Sequence, residues 1–416
     1  NNAPRFEIAA YELQKLFLNE SDFVVPPTVA RGFLLSEYLS IEKEAVPTFK
    51  KSNVVLVMMQ YWLNEVSIGG EIYDKEKSAI FYRSWIYVGH QSQLAKAGDY
   101  LTAGIHEQNV FVIRNASGTL NAFYNVCQHR GHELLFGAGQ KKSAIVCPYH
   151  AWTYDFDGAL IRARNTERMA GFDRCAFSLK PVRIEVFCGL VFVNLDPDAT
   201  ALYEQAGELE AEIRSFCPDL NAVVFAQRDT YDVASNWKVL VDNFLECYHC
   251  DSAHRDFVDL VDMNSYRSSV SGIYSRHIST ASRSTENSAY RFEKGKVDFG
   301  YAGWFLWPNL TIWIYPGDPN ISVLQMIPSG INRTIEHQDW FLPAGNLSTQ
   351  LKEAMVYQKD VLQPEDIRLC ESVQRGLLSK GYNQGRFVVD ESRSELSEHA
   401  VHHFQSLVTA SLASAN

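Results

Sequence analysis

Cysteine and histidine occur together twice in short pairs, Cys127-Gln128-His129 and Cys147-Pro148-Tyr149-His150, with 17 residues between them. Four such side chains can hold a metal. A structural zinc site usually draws two thiolates from one short pair and two imidazoles from another. One thiolate and one imidazole on each of two loops suits a two-iron, two-sulfide cluster instead, with both thiolates on one iron and both imidazoles on the other. Neutral imidazole in place of anionic thiolate makes its iron easier to reduce, so the cluster can take electrons from a low-potential donor. Turn residues surround both pairs: Gly131 after the first, Pro148 inside the second, Asp157-Gly158 beyond it. Zinc remains the alternative. His132 stands near the first pair but breaks the symmetry of the two loops, and it is left out of the set.

A second constellation lies downstream. Asn236-Trp237-Lys238 introduces Asp242-Asn243-Phe244-Leu245-Glu246-Cys247-Tyr248-His249, and His254 follows five positions later. Two histidines and one carboxylate, with coordination positions left open, are the ligand set of non-haem iron(II) oxygenases. Residues five apart lie about 140° apart on an ideal helix. They converge only if the helix ends or bulges between them, which Cys250-Asp251-Ser252-Ala253 allows. The spacing alone is weak, since one surface and one core histidine would look the same. Its weight comes from the upstream cluster, which needs something to reduce. The third ligand must come from elsewhere, and Pro364-Glu365-Asp366 with Glu371 offers three acids at a helix start, a place acids favour anyway. Cys247 and Cys250 could be read as a metal pair, but no second such pair exists.

The elements that must position these groups follow from periodicity. The chain has 416 residues, enough for two or three domains. Residues 1–70 form an extension of unknown role, with helical spacing over Ala9 to Leu18 and Gly32 to Glu42. Glu71 to Trp85 reads as an amphipathic helix. From 86 to 197, β-branched and aromatic runs such as 110–113, 122–126, 144–146 and 190–193 predict a small antiparallel β domain with the cluster loops at its tip. Residues 71–85 and 198–416 form the rest. There, a helix is expected over Ala201 to Phe216 and strands over Thr311 to Tyr315 and Ser322 to Ile327. A long helix from Thr349 to Leu377 is marked at Pro364 by a break or a new start. The fold class is therefore α+β.

A net charge of −11 argues against nucleic acid and anionic membrane as partners. The longest apolar run, Val54 to Met59, is too short to span a bilayer. No secretion signal is evident, and eight cysteines in this length do not make a disulfide scaffold. A reducing cytoplasm or organelle interior is expected.

Both cluster loops resemble the Rieske signature of the Rieske non-haem iron oxygenases, the ring-hydroxylating oxygenase alpha subunit family. The run from Asn236 to His254 is similar to that family's mononuclear-iron signature. The resemblance covers about Glu71 to Phe404 and leans toward the quaternary-ammonium branch: carnitine oxygenase, glycine betaine demethylase and choline monooxygenase. It implies a small Rieske domain and a catalytic domain of the helix-grip type, helices on an antiparallel sheet. It implies that Cys127 and Cys147 bind one iron of a [2Fe–2S] cluster, and His129 and His150 the other. His249, His254 and Asp366 would bind the catalytic Fe(II), with Asn243 near it. Glu246 occupies the place of the acid that bridges the metal sites between subunits of a homotrimer. Most members have aspartate there, and the carnitine branch has glutamate. Gln128 stands where proline is common, which leaves ligation unaffected.

No glycine-rich dinucleotide fingerprint or flavin motif is visible. Electrons must come from a separate protein, by resemblance a flavin and iron–sulfur reductase that uses NADH or NADPH. With O2, the expected outcome is hydroxylation beside a quaternary nitrogen and collapse to an aldehyde and a smaller amine. Such a cation cannot donate a hydrogen bond, so its recognition relies on aromatic faces and distant carboxylates. Trp307, Trp313 and Tyr315 are candidates, although aromatics alternating on a strand are commonly core. Two competing expectations are an oxygenase acting on an aromatic acid and a non-catalytic electron carrier.

Overall fold

The structure is a computed structural model. It describes residues 70–414, except 218, 280–283, 294–300, 346, 383–384, 390–391 and 393–395, together with two strand segments before them. These are β1 (Arg31–Leu34) and β2 (Val54–Val57), paired antiparallel. Strand geometry at 32–34 replaces the start of the helix expected over Gly32 to Glu42. The β-branched run at Val54 and Val55 provides the partner. The helix expected over Ala9 to Leu18 lies outside the described residues.

Helix α1 (Gly70–Glu76) continues through a π-helical turn, Lys77–Phe81, and stops short of Trp85. Trp85 begins the next layer, and its indole donates to the Thr200 carbonyl at 2.9 Å. The small β unit is a seven-stranded antiparallel sheet in the order β3-β12-β11-β6-β5-β4-β7. Its strands are β3 (Ile86–His90), β4 (Asp99–Ile105), β5 (Gln108–Arg114), β6 (Leu120–Tyr124), β7 (Ala138–Gln140), β11 (Pro181–Phe187) and β12 (Leu190–Asn194). A second, three-stranded sheet joins β8 (Ile145–Val146), β9 (Thr153–Tyr154) and β10 (Leu160–Arg162). The two cluster pairs follow β6 and β8.

The helix expected over Ala201 to Phe216 is two helices, α2 (Leu202–Ala206) and α3 (Leu209–Phe216). Gly207, with φ of 55°, breaks them apart. The large sheet then runs β13-β19-β18-β17-β16-β15-β14. It comprises β13 (Val223–Val233), β14 (Arg267–Ser271), β15 (Tyr274–Ser279), β16 (Tyr301–Leu306), β17 (Leu310–Ile314), β18 (Ile321–Gly330) and β19 (Arg333–Pro343). Strand alternation sorts its side chains onto two faces. Trp304, Ile312, Val323 and Phe341 join α2, α3 and the edge of the small β unit in one core. Phe305, Trp313, Met326 and Trp340 join the helices on the other face. Both faces are covered, so β16 and β17 read as continuous apolar runs.

The covering helices are α4 (Trp237–Phe244), α7 (Thr349–Tyr357), α8 (Gln363–Leu377) and α9 (His399–Ser414), with the short α5 (Cys250–Ala253) and α6 (Arg255–Leu260) between β13 and β14. Pro364 sits in the first turn of α8, the new start expected there, and a π-helical turn, Gln358–Leu362, joins α7 to it. Among the described residues no helix is long and apolar enough to cross a membrane.

Candidate functional site

The two cluster loops are built alike. Cys127 N donates to the His132 carbonyl and Gly131 N to the Cys127 carbonyl, at 2.8 and 3.0 Å. Cys147 N donates to the Trp152 carbonyl and Ala151 N to the Cys147 carbonyl, again at 2.8 and 3.0 Å. The fourth residue after each cysteine is left-handed: Gly131 at φ 73° and Ala151 at 58°. Each turn thus presents its thiol inward and its histidine outward. Cys127 and Cys147 are buried. Tyr154 lies under the first loop, with its hydroxyl 3.4 Å from the Cys127 sulfur, and it accepts from Gln128 N at 3.0 Å. The His129 ring stacks on Trp152 at 4.7 Å and meets the His150 ring at 4.6 Å. His150 Nδ1 is buried without a partner, which an imidazole ligand awaiting a metal would show. His132 turns away and bonds the Glu133 carbonyl at 2.5 Å. These residues fit a [2Fe–2S] cluster.

The second constellation forms where α4 ends. Asn236 caps that helix, accepting from Lys238 N at 3.1 Å. His249 and His254 flank the single turn α5. His254 leaves helical geometry, with φ of −121° and ψ of 67°, and this lets two residues five apart converge. Their Nε2 atoms are 3.1 Å apart. Asp366, in the first turn of α8, brings Oδ1 to 3.0 Å from His254 Nε2 and 3.6 Å from His249 Nε2. Three ligand atoms therefore face one point, all within 4.8 Å of one another.

The outer ring nitrogens are each held by an acid. Glu246 Oε1 is 2.5 Å from His249 Nδ1, and Glu365 Oε2 is 2.8 Å from His254 Nδ1. Such contacts fix ring tautomer and orientation and leave Nε2 for a metal. Glu246 Oε2 also accepts from Tyr248 N and His249 N. Asn243 Nδ2 lies 3.5 Å from His249 Nε2. Burial opposes charge on His249, yet the Asp366 and Glu246 carboxylates outweigh it and hold the imidazole up to about 10. Burial likewise opposes charge on Asp366, yet the two imidazoles hold it well below the usual carboxylate range. Two imidazole nitrogens and a carboxylate oxygen converging in this way fit a divalent metal.

The three acids open in the sequence separate here: Asp366 faces the histidines, Glu365 holds His254 from behind, and Glu371 accepts from Ala234 N. Cys247 and Cys250 form a disulfide, and this removes them as a metal pair.

A cavity opens over the triad. Trp313 and Tyr315 line it, with Phe244, Tyr266 and Tyr301. Trp307 does not, and it is withdrawn as a substrate residue. It lies just past β16, where strand alternation has ended, and its ring packs on Phe404 while its indole donates to Ser84 Oγ at 3.0 Å. Sequence reading also missed Glu336, a buried acid on β19 that lines the cavity and takes a 2.7 Å hydrogen bond from Gln363. Burial, with the charge of Asp366 second, pushes its carboxyl up to about 8. The one available signal was the i, i+2 alternation of Glu336, Gln338 and Trp340 on a strand.

Residues 84–173 match the Rieske [2Fe-2S] domain, and residues 220–414 match the ring hydroxylating alpha subunit (catalytic domain). The two matches place the chain among oxygenases that pair an iron–sulfur centre with a separate catalytic iron. The carnitine monooxygenase oxygenase subunit of Escherichia coli (strain K12) is 40% identical over 337 residues, covering 81% of this chain and 89% of that protein. The chloroplastic choline monooxygenase of Amaranthus tricolor is 30% identical over 342 residues, covering 80% and 73%. The crystal structure of the quaternary ammonium Rieske monooxygenase CntA with substrate L-carnitine aligns with a TM-score of 0.76 and 36% identity, covering 84% of this chain and 94% of that one. Naphthalene 1,2-dioxygenase from Rhodococcus sp. shares the fold at a TM-score of 0.69 and 18% identity. The chain belongs to the Rieske non-haem iron oxygenases, the ring-hydroxylating alpha subunit family. It is an oxidoreductase whose cofactors are a Rieske [2Fe–2S] cluster and a mononuclear iron.

Proposed function

We propose that this chain is the terminal oxygenase component acting on a quaternary ammonium substrate, with electrons supplied by a separate flavin and iron–sulfur reductase. Cys127, Cys147, His129 and His150 hold the cluster, and His249, His254 and Asp366 hold the iron. When bound, the cluster supplies single electrons and the iron supplies oxygen activation. One oxygen atom enters a C–H bond near the nitrogen, the other leaves as water, and the reductase provides two electrons.

The chain's own residues position and shield. Glu246 and Glu365 fix the two imidazoles from behind. The aromatic box supplies the carrying observation: Trp313 stacks on Phe244 at 5.7 Å and meets Tyr315 edge-on at 6.0 Å, all facing the cavity above the triad. Aromatic faces attract a cation that has no hydrogen to donate. The relatives named for carnitine and choline agree with this reading.

The working unit is a homotrimer in which the cluster loops of one subunit meet Glu246 of the next. Among the described residues nothing from the cluster loops of the same chain bonds Glu246. The loops also carry exposed apolar side chains, Val146 at 49% and Tyr149 at 52%, as a docking surface would. The protein works in the cytoplasm or an organelle interior.

The test is oxygen uptake by the loaded protein with a generic reductase and NADH. Carnitine, γ-butyrobetaine, glycine betaine and choline are compared with a neutral aromatic and an aromatic acid. Uptake coupled to product with a quaternary amine is expected. Coupling with the aromatic acid alone overturns the assignment.

A further inference from the structure

Glu76, Asp229 and Asp339 are acids buried in the catalytic unit, and each faces a cationic side chain. The partners are Lys238, Lys359 and Arg228 respectively. Glu336 differs. It is 1% exposed, projects from the middle of β19 on the same face as Gln338 and Trp340, and lines the cavity. Gln363 Nε2 donates to its Oε2 at 2.7 Å, while Oε1 takes no hydrogen bond from any described residue. A buried carboxylate without a counter-charge is costly to keep ionised unless something brings one.

The rest of the cavity wall explains what brings it. Its described residues include three carboxylates, Glu246, Glu336 and Asp366, and no lysine or arginine. Glu246 and Asp366 are already engaged with the histidines. Among the described lining carboxylates Glu336 is the one that no histidine engages, and a bound cation would favour its ionised form. Trp313, Tyr315 and Tyr301 line the same cavity. Aromatic rings and a carboxylate both attract a cation. A carboxylate on the same substrate would find no lysine or arginine among the described lining residues.

We propose that Glu336 is the counter-ion for the substrate's ammonium group, and that the preferred substrate is a quaternary ammonium cation without a carboxylate. This rests on the quaternary-ammonium reading above and narrows it to choline-like cations over carnitine-like zwitterions. Glu336 acts by binding the substrate and takes no part in bond making.

The test uses the holoenzyme and four probes. Choline and butyltrimethylammonium are cations. γ-Butyrobetaine is butyltrimethylammonium with a terminal carboxylate. 3,3-Dimethylbutanol is the uncharged isostere of choline. Binding is measured by anaerobic calorimetry, and kcat/KM by coupled oxygen uptake. Wild type is expected to favour each cation over γ-butyrobetaine by at least about tenfold. Glu336→Gln should weaken cation binding by about thirtyfold or more while leaving 3,3-dimethylbutanol within about threefold. Glu336→Asp, which keeps the charge, should keep the order of preference. The wild-type comparison needs no variant, so it decides even if Glu336→Gln fails to fold. Equal cation binding by Glu336→Gln, or a wild type that does not favour the cations over γ-butyrobetaine, overturns the proposal and leaves the quaternary-ammonium reading standing. Turnover of an aromatic acid alone defeats that reading instead.

Discussion

Replacing Glu76 by glutamine should expose how the catalytic helix is anchored. Glu76 ends α1, and its two oxygens take the Trp237 indole N–H at 2.9 Å and the Lys238 ammonium. Both acid and ammonium are 1% exposed. Glutamine keeps an oxygen for Trp237 and removes only the charge facing Lys238. Leaving a buried ion without its partner costs about 3–5 kcal/mol, whereas an exposed pair contributes under about 1 kcal/mol. Burial already pushes the Lys238 ammonium down from its ordinary value, with Glu76 opposing. In Glu76→Gln it falls further, so the folded state binds fewer protons there than the unfolded chain. The deficit should therefore shrink as pH rises toward the free lysine value of about 10.4. The assay is urea unfolding with cluster and iron loading matched across variants. The double variant Glu76→Gln/Lys238→Met should recover to within about 1–2 kcal/mol of wild type. A single-variant cost under about 1 kcal/mol, or one independent of pH, would refute the reasoning.

Three further outcomes follow from the metal site. Asp366→Asn should lower mononuclear iron affinity more than about tenfold while the cluster's visible absorption stays; unchanged iron content would remove Asp366 from the ligand set. Glu246→Gln should keep both metals yet lose substrate-coupled oxygen uptake, and normal turnover would dismiss the bridging role. In the metal-free protein His249 is held up to about 10. Its charged form therefore stabilises the fold fully below the free histidine value of about 6.5, and this is lost as pH approaches 10. Iron(II) affinity should rise over the same window as the metal displaces the proton. Calorimetry in buffers of different ionisation enthalpy reads that proton, and pH-independent binding with no release would contradict it.

What the sequence revealed was local. Cys127 with His129 and Cys147 with His150 sit within one turn of each other, so ligand spacing alone carried the cluster reading. The β character of 110–113 and 190–193 was legible because both runs end at turn residues. Long-range facts were not. Nothing near Glu336 in the chain says that β19 is covered on both faces, so its acid reads as solvent-facing. Trp307 shares odd numbering with Trp313 and Tyr315, and β16 and β17 pair odd with odd, but Trp307 lies past the end of β16, where strand alternation no longer aims a side chain. Asp366 and Glu365 are neighbours, and only the packing of α8 against His254 gives one the metal face and the other the ring's back. The split of 201–216 was local and still missed, since the helical spacing runs across Gly207 and reads as one helix.

The wide turn at Gln358–Leu362 has a mechanical corollary. A π turn carries one residue beyond regular α winding and takes it up by winding wider, so the helix beyond it keeps its aim. One more residue inserted into the regular winding of α8 ahead of Asp366 would have no such turn to absorb it. It would swing Asp366 about 100° around the axis while lengthening the helix by only about 1.5 Å, and Asp366 would no longer point at His254.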